Sequence, residues 1–213
     1  MKRPEKDMPY FDLLSALSSD NCALCTLIDK KIQFYLEHLL YQSVNDTGFR
    51  KKWKKSCGFC HHHSWLLADK KDALGIAILY QDLINFYGDN LPTQPVGKNC
   101  PLCELEKETR QRFQYLLTHH WPDEELKQAI ENSDGLCCPH IQAVFSDIHK
   151  KDIREILLKA SVRKFAKINK DLEILINSYD YLHSNPTEEK IKISWRTAIE
   201  KITGSRHTKV LDK

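Results

Sequence analysis

The chain has 213 residues, 41% apolar and 29% charged, with a formal charge of +3; this is the balance of an ordinary folded protein rather than a disordered one. No run nears the roughly 18 apolar residues of a membrane span, and so small a charge is no footprint of a dedicated nucleic-acid binder. The length suffices for one sizeable core or two joined halves.

Met1 to Pro9 carries positive charge with no apolar stretch behind it, so no signal peptide is expected. The expected compartment is the cytoplasm, where clustered cysteines stay reduced and serve as ligands. Periodicity is helical nearly throughout, and no stretch alternates as a strand does, so the fold is expected to be an all-α helical bundle. Ser18, Ser19 and Asp20 offer N-caps for a helix from about Cys22 to Tyr41, with Leu24, Ile28, Ile32, Tyr35, Leu36 and Leu39 inward. Asn45 to Gly48 breaks it, and a short basic helix, Phe49 to Ser56, leads to Gly58. A third helix starts near His61, bends about Asp69 to Asp72 and reaches Tyr87; Gly88 to Pro92, then Pro95 and Gly97, read as a linker.

The second half replays this order. A helix is expected from Pro101 to His119 with Leu102, Leu105, Phe113, Leu116 and Leu117 inward. Trp121 to Asp123 interrupts it, and Glu124 to Glu131 forms a short return helix. After Gly135 a helix opens on Cys138, Pro139 and His140 and extends to about His149, followed by a long one from Asp152 to Tyr179. Ser184 to Thr187 is a turn, a last helix from Glu188 to Thr203 closes at Gly204, and Arg206 onward reads as a frayed tail.

The repetition extends to chemistry. Cys22 and Cys25 precede Gly58, Cys60 and His63; Cys100 and Cys103 precede Gly135, Cys137 and His140. Both halves read C-x-L-C followed by G-x-C-x-x-H, at offsets of 100 − 22 = 78 and 137 − 60 = 77. Leu24 matches Leu102, Leu27 matches Leu105, Tyr35 matches Phe113 and Leu39 matches Leu117, all at 78. Such agreement indicates a duplicated helical unit: residues 18–92, then 98–183, with a C-terminal helix at 187–204 packing on the bundle.

Three thiols and one imidazole are what a tetrahedral zinc site requires. A three-residue step at the start of a helix puts both donors on one side, and the helix N-terminus favours the thiolate that binds metal. The chain between the pairs is long enough for each repeat to close its own site, so a Cys3His staple within each repeat is expected; closure across repeats, Cys22 and Cys25 with Cys137 and His140, is the alternative. The expected ligands are Cys22, Cys25, Cys60, His63, Cys100, Cys103, Cys137 and His140, holding two zinc ions per chain, with iron the competing metal. Each loaded site carries three thiolates against two positive charges, lowering the net charge to about +1. His61 and His62 compete with His63, which the match to His140 favours, while Cys57 and Cys138 fall outside the repeated pattern and read as spare thiols.

Other patterns carry less. Cys57, Cys60 and His61 fit C-x-x-C-H, used for covalent haem, and Cys57 with Cys60 resembles a thioredoxin-like pair, but the second half lacks the first cysteine and there is no strand–helix context. No metalloprotease, deaminase, phosphate-loop or nucleophile-elbow motif is present, and four protein ligands leave a zinc no open position, so no enzyme activity is expected. Trp53 among Lys51, Lys52, Lys54 and Lys55 reads as a buried anchor flanked by solvated lysines rather than a phosphate grip. His119 and His120 end a helix; Tyr80, Phe86, Tyr87, Tyr179 and Tyr181 read as packing, and Trp195 as the anchor of the last helix.

Cys22 to Cys25, Gly58 to Trp65, Cys100 to Glu104 and Ser194 to Ile199 together resemble a bacterial family of uncharacterised, all-helical proteins, over about residues 20 to 204. The resemblance implies the eight ligands and no activity, substrate or partner. The expected function is a non-catalytic scaffold or protein-interaction module with two structural zinc sites, partnered by another protein and not by membrane or nucleic acid. The alternative is a thiol-based redox or metal sensor using the same cysteines.

Overall fold

A computed structural model describes residues 5–90, 99–179 and 188–208. The expectations placed on Pro92, Pro95, Gly97, Tyr181, the Ser184 to Thr187 turn and the repeat limits at 92, 98, 183 and 187 lie outside these. Every regular element among the described residues is helical: α1 Met8–Leu17, α2 Ala23–His38, α3 Thr47–Lys55, α4 His61–Ala68, α5 Ala73–Asn90, α6 Pro101–His119, α7 Glu124–Asn132, α8 Cys138–Asp147, α9 Lys151–Ser178, α10 Glu189–Lys192 and α11 Ser194–Thr203. None is long and apolar enough to cross a membrane.

The duplication is visible element by element. α2 and α6 start 101 − 23 = 78 residues apart, whereas α3 and α7 start 124 − 47 = 77 apart and end 132 − 55 = 77 apart. The extra residue of the first repeat therefore falls between α2 and α3, where Leu39–Ser43 forms a π-helical turn. A π turn accommodates one residue more than an α turn without breaking the helix. Asp46 and Asp123, equivalent at 77, cap α3 and α7 through Phe49 N–H and Glu125 N–H respectively.

The chain forms two compact units that do not follow the repeat boundary: Met1–Leu27 with Arg110–Lys213, and Ile28–Thr109. In the first, α1 packs on α7, and α9 on α7 and α11. The Tyr10 hydroxyl donates to Asp123 Oδ2 at 2.8 Å, Lys6 Nζ lies 2.6 Å from the same carboxylate, and the His120 ring rests 4.7 Å from that of Tyr10. In the second unit α3 packs on α5. Trp53, 2% exposed, donates from Nε1 to Leu79 O at 2.9 Å and meets Phe59 edge-on. Arg50 grips Asp82 with two bonds of 2.6 and 2.7 Å. Trp53 is thus the anchor that its lysine neighbours suggested.

Several expectations are corrected. α1 is a helix beyond those expected, and Ser18 caps its C-terminus instead of opening α2. The Asp69 to Asp72 bend is a full break, with Lys71 at φ +59°. The last helix is two, parted at Ile193. Trp195 is 49% exposed rather than buried; Ser194 and Lys201 are the buried residues of α11. Tyr179 is likewise 84% exposed rather than packed. Residues beyond Arg206 are not all frayed, for Thr208 is buried.

Candidate metal centres

Each of the four cysteine-bearing pairs occupies the same place on a helix. The carbonyls of Cys22, Cys60, Cys100 and Cys137 accept from the amides of Thr26, Ser64, Glu104 and Ile141, four residues on. These cysteines therefore sit at N-cap positions, and Cys25, His63, Cys103 and His140 follow at the third helical position. N-cap and third side chains face each other across the first turn, as in a capping box. Cys60 and Cys137 make no side-chain cap bond, which leaves their sulfurs turned to the partner pair.

The approach to the CxxH pairs is shaped locally. α3 ends in a Schellman turn: Cys57 N–H donates to Lys54 O at 3.0 Å and Gly58 N–H to Trp53 O at 3.1 Å, with φ of +56° and +76°. Cys57 is the left-handed residue of this turn. In the second half Gly135, φ +66°, passes directly against α9. There Leu136 N–H donates to Ser161 Oγ at 3.0 Å, Arg163 donates to Ser133 O at 3.0 Å, and Lys201 Nζ to Asp134 O at 2.5 Å.

The pairs converge as two quartets, with the donor atoms of each within 4.8 Å of one another: Cys22, Cys25, Cys137 and His140 in the first unit, and Cys60, His63, Cys100 and Cys103 in the second. All eight residues singled out in the sequence stand in these quartets, and among the described residues no other joins them. The expectation that each repeat closes its own site is overturned: every quartet takes its C-x-x-C from one repeat and its C-x-x-H from the other. Reach alone permitted both closures; the fold selects the crossed one because each unit is assembled from segments of both repeats. His61 stands outside the quartets, accepting from Trp65 Nε1 at 3.1 Å, as do His62, Cys57 and Cys138.

In the first quartet His140 Nδ1 lies 3.4, 3.3 and 3.3 Å from the sulfurs of Cys22, Cys25 and Cys137, and Cys25 Sγ lies 3.7 Å from Cys137 Sγ. In the second His63 Nδ1 lies 3.2, 3.4 and 3.5 Å from Cys60, Cys100 and Cys103, with 3.6 Å between Cys103 and Cys60 sulfurs. A tetrahedron with zinc–sulfur bonds near 2.3 Å has sulfur–sulfur edges of about 3.8 Å and sulfur–nitrogen edges of about 3.6 Å. The observed edges are shorter than these by about 0.4 Å at most, whereas a disulfide would need about 2.05 Å, and all eight cysteines are free thiols.

The electrostatics point the same way. Burial raises the cost of a charge on Cys22, yet bonds from Cys137, Cys25 and His140 drive its thiol well below the usual range. Cys25 is driven far up, first by Cys137 and then by Cys22. Cys60 and Cys103 repeat the opposition, the former lowered by Cys100 and Cys103 and the latter raised by Cys100 and Cys60. Crowded thiols cannot all ionise against one another, and a divalent cation is what lets them shed their protons together. For both imidazoles burial works against the cation but the thiolates prevail: Cys100 and Cys60, with Glu106, take His63 to about 11, and Cys137 and Cys22 take His140 to about 10.

Three residues around the quartets were not singled out in the sequence. Glu106, 5% exposed, holds Oε1 3.5 Å from His63 Nε2, the ring nitrogen turned away from the thiols. That distance is long for a hydrogen bond, and Nε2 makes no other. The signal for it was present, since the offset of 78 sets Glu106 opposite apolar Ile28. Thr208 Oγ1 lies 3.8 Å from Cys25 Sγ, and buried Lys201 feels the charges of Cys22 and Cys137; neither has a counterpart in the duplicated pattern.

A model of a family of unknown function (DUF6062) matches the chain twice in tandem, over residues 1–95 and 93–209. The chain is also similar to an uncharacterised 23.9 kDa protein in the xynA 3′ region of Caldicellulosiruptor sp. (strain Rt8B.4), 26% identical over 205 residues, 91% of this chain and 100% of the relative. No solved structure matches.

Proposed function

The chain belongs to this family of unknown function, and we propose that it is a zinc protein whose two units are each stapled by a Cys3His-bound ion, serving as a non-catalytic scaffold for another protein. The observation that carries the metal reading is the pair of complete donor sets, each of three sulfurs and one Nδ1 within 4.8 Å of one another. Four soft protein donors suit zinc and fill its coordination, which supports a structural rather than a catalytic ion. Charge supports the choice of partner class: about +1 for the loaded chain gives little pull on nucleic acid. Free thiols throughout suit a reducing compartment such as the cytoplasm.

Elemental analysis of protein purified without added metal is the test. Two zinc ions per chain are expected, falling to one in Cys22→Ser and in Cys100→Ser. Because only the folded form holds the ion tightly, chelation should lower the melting temperature of the wild type. Fewer than one ion per chain in a fully folded protein would sink the reading.

A further inference from the structure

The two quartets share ligands and edges but not surroundings. In the first unit Cys22, Cys25, Cys137 and His140 are 6%, 4%, 0% and 3% exposed. The end of α11 and the residues after it lie over them: Thr208 Oγ1 is 3.8 Å from Cys25 Sγ, and a side chain at Gly204 would come within 4.0 Å of Cys137 Sγ. Among the described residues the second quartet shows no such cover. There Cys100 and His63 are buried, while Cys60 and Cys103 are only half-buried. The sulfurs of these two less buried cysteines stand 3.6 Å apart.

Charge separates the sites further. A Cys3His-bound zinc carries one net negative charge. Beside the first quartet stands the buried amine of Lys201, tied to Asp134 O. Beside the second stands the buried carboxylate of Glu106. In a poorly screened interior such neighbours count for far more than in water. Glu106 behind His63 makes that imidazole the more basic ligand, so the second donor set is the more electron-rich of the two.

We propose that the second quartet is a reactive zinc–thiolate centre toward hydroperoxides, its Cys60 and Cys103 joining as a disulfide and releasing their ion, while the first quartet keeps its ion as a permanent staple. This rests on the zinc reading above. One of the two thiolates attacks the terminal oxygen of the hydroperoxide; the O–O bond breaks, the alkoxide leaves and takes a proton from water, and the sulfur becomes a sulfenic acid. The second thiolate displaces hydroxide from that sulfur, forming the S–S bond, and the hydroxide is protonated to water. The two sulfurs lose two electrons and the peroxide gains them. Only Cys100 and His63 then remain as donors, too few to retain the ion. A thiol reductant with free zinc reverses the change.

The experiment uses the full-length, zinc-loaded wild type, its two ions first counted by elemental analysis. Hydrogen peroxide is added stepwise to several equivalents per chain, release is followed with a chromogenic zinc chelator, and disulfides are mapped after alkylation. Release should level off at one ion per chain, with Cys60 joined to Cys103, with Cys22, Cys25 and Cys137 still reduced, and with full reversal by dithiothreitol. Parallel loss of both ions, no loss at all, or a disulfide that involves Cys22, Cys25, Cys57 or Cys137 would overturn the proposal. A starting count below two ions would instead count against the zinc reading itself, so the two failures are distinct.

Discussion

Glu106 Oε1 stands 3.5 Å from Nε2 of His63, on the opposite side of the ring from the Nδ1 that faces three sulfurs. A carboxylate behind a ligating imidazole fixes its tautomer and raises its basicity, and loss of such a partner typically weakens metal binding 10–100-fold. Glu106→Gln is therefore expected to weaken the second site by roughly that factor, measured by chelator competition, and to leave the first unchanged, since Ile28 occupies the equivalent place there. Equal weakening of both sites, or of neither, would show that the contact is incidental.

The two turn glycines are expected to differ in tolerance. At Gly135 an added Cβ would meet the backbone N and Cα of Ser161 at 2.5 and 2.7 Å, on top of a left-handed φ. At Gly58 the nearest atom is Leu83 Cδ1 at 2.7 Å, the end of a side chain that can swing aside. Strain alone costs roughly 1–3 kcal/mol, and forced overpacking about 1–3 kcal/mol more. Urea unfolding of the zinc-loaded variants should show Gly135→Ala the more damaged by about 2 kcal/mol or more; near-equal losses would contradict the contact at Ser161.

Trp53 tests the reading of the basic cluster. Its indole is 2% exposed and hydrogen-bonded, while Lys51, Lys52 and Lys55 are exposed. Trp53→Ala should cost roughly 3–5 kcal/mol, while replacing those three lysines by glutamine should shift stability by under about 0.5 kcal/mol. A large loss from the lysine variant, read by the same unfolding curve, would mean that the charges do more than solvate the helix.

Acid sensitivity should have an identifiable contribution at Asp82. The Arg50 guanidinium holds its carboxyl below the usual range, and a depressed carboxylate contributes stability that is present above the unfolded value near 4 and is lost as pH falls through the folded one. Arg50 is one-third exposed, so the contribution is modest. The stability difference between the wild type and Asp82→Asn, both zinc-loaded, should be constant from about pH 7 to 5 and shrink below about pH 4. A difference that widens on acidification would exclude the pairing as its source.

Helix order and the eight donor residues were legible because both are local. Helical spacing places the apolar residues of α2 and α6, and a three-residue step at a helix start puts two donors on one side. The pairing of Cys22 and Cys25 with Cys137 and His140 was not legible, because identical half-sites fit either way and chain reach forbids neither. α1 is hard to delimit from sequence because Ser18 and Ser19 serve equally well to end one helix or begin the next. An aromatic on an amphipathic helix suggests burial at Trp195, but the buried side chain there is Lys201, whose amine finds a carbonyl at Asp134. Thr208 gave no signal at all: a short polar tail is read as disorder unless something covers a site with it.

The crossed pairing nests one ring of chain inside another. Cys60 and Cys103 are 43 residues apart, whereas Cys22 and His140 are separated by 118. During synthesis the inner ring can close once the ribosome has released α6, while Cys22 and Cys25 must wait for α8. A cut at the seam between the tandem family matches would thus yield two fragments, each bearing two incomplete half-sites, able to complete them only by finding each other or a second copy of themselves.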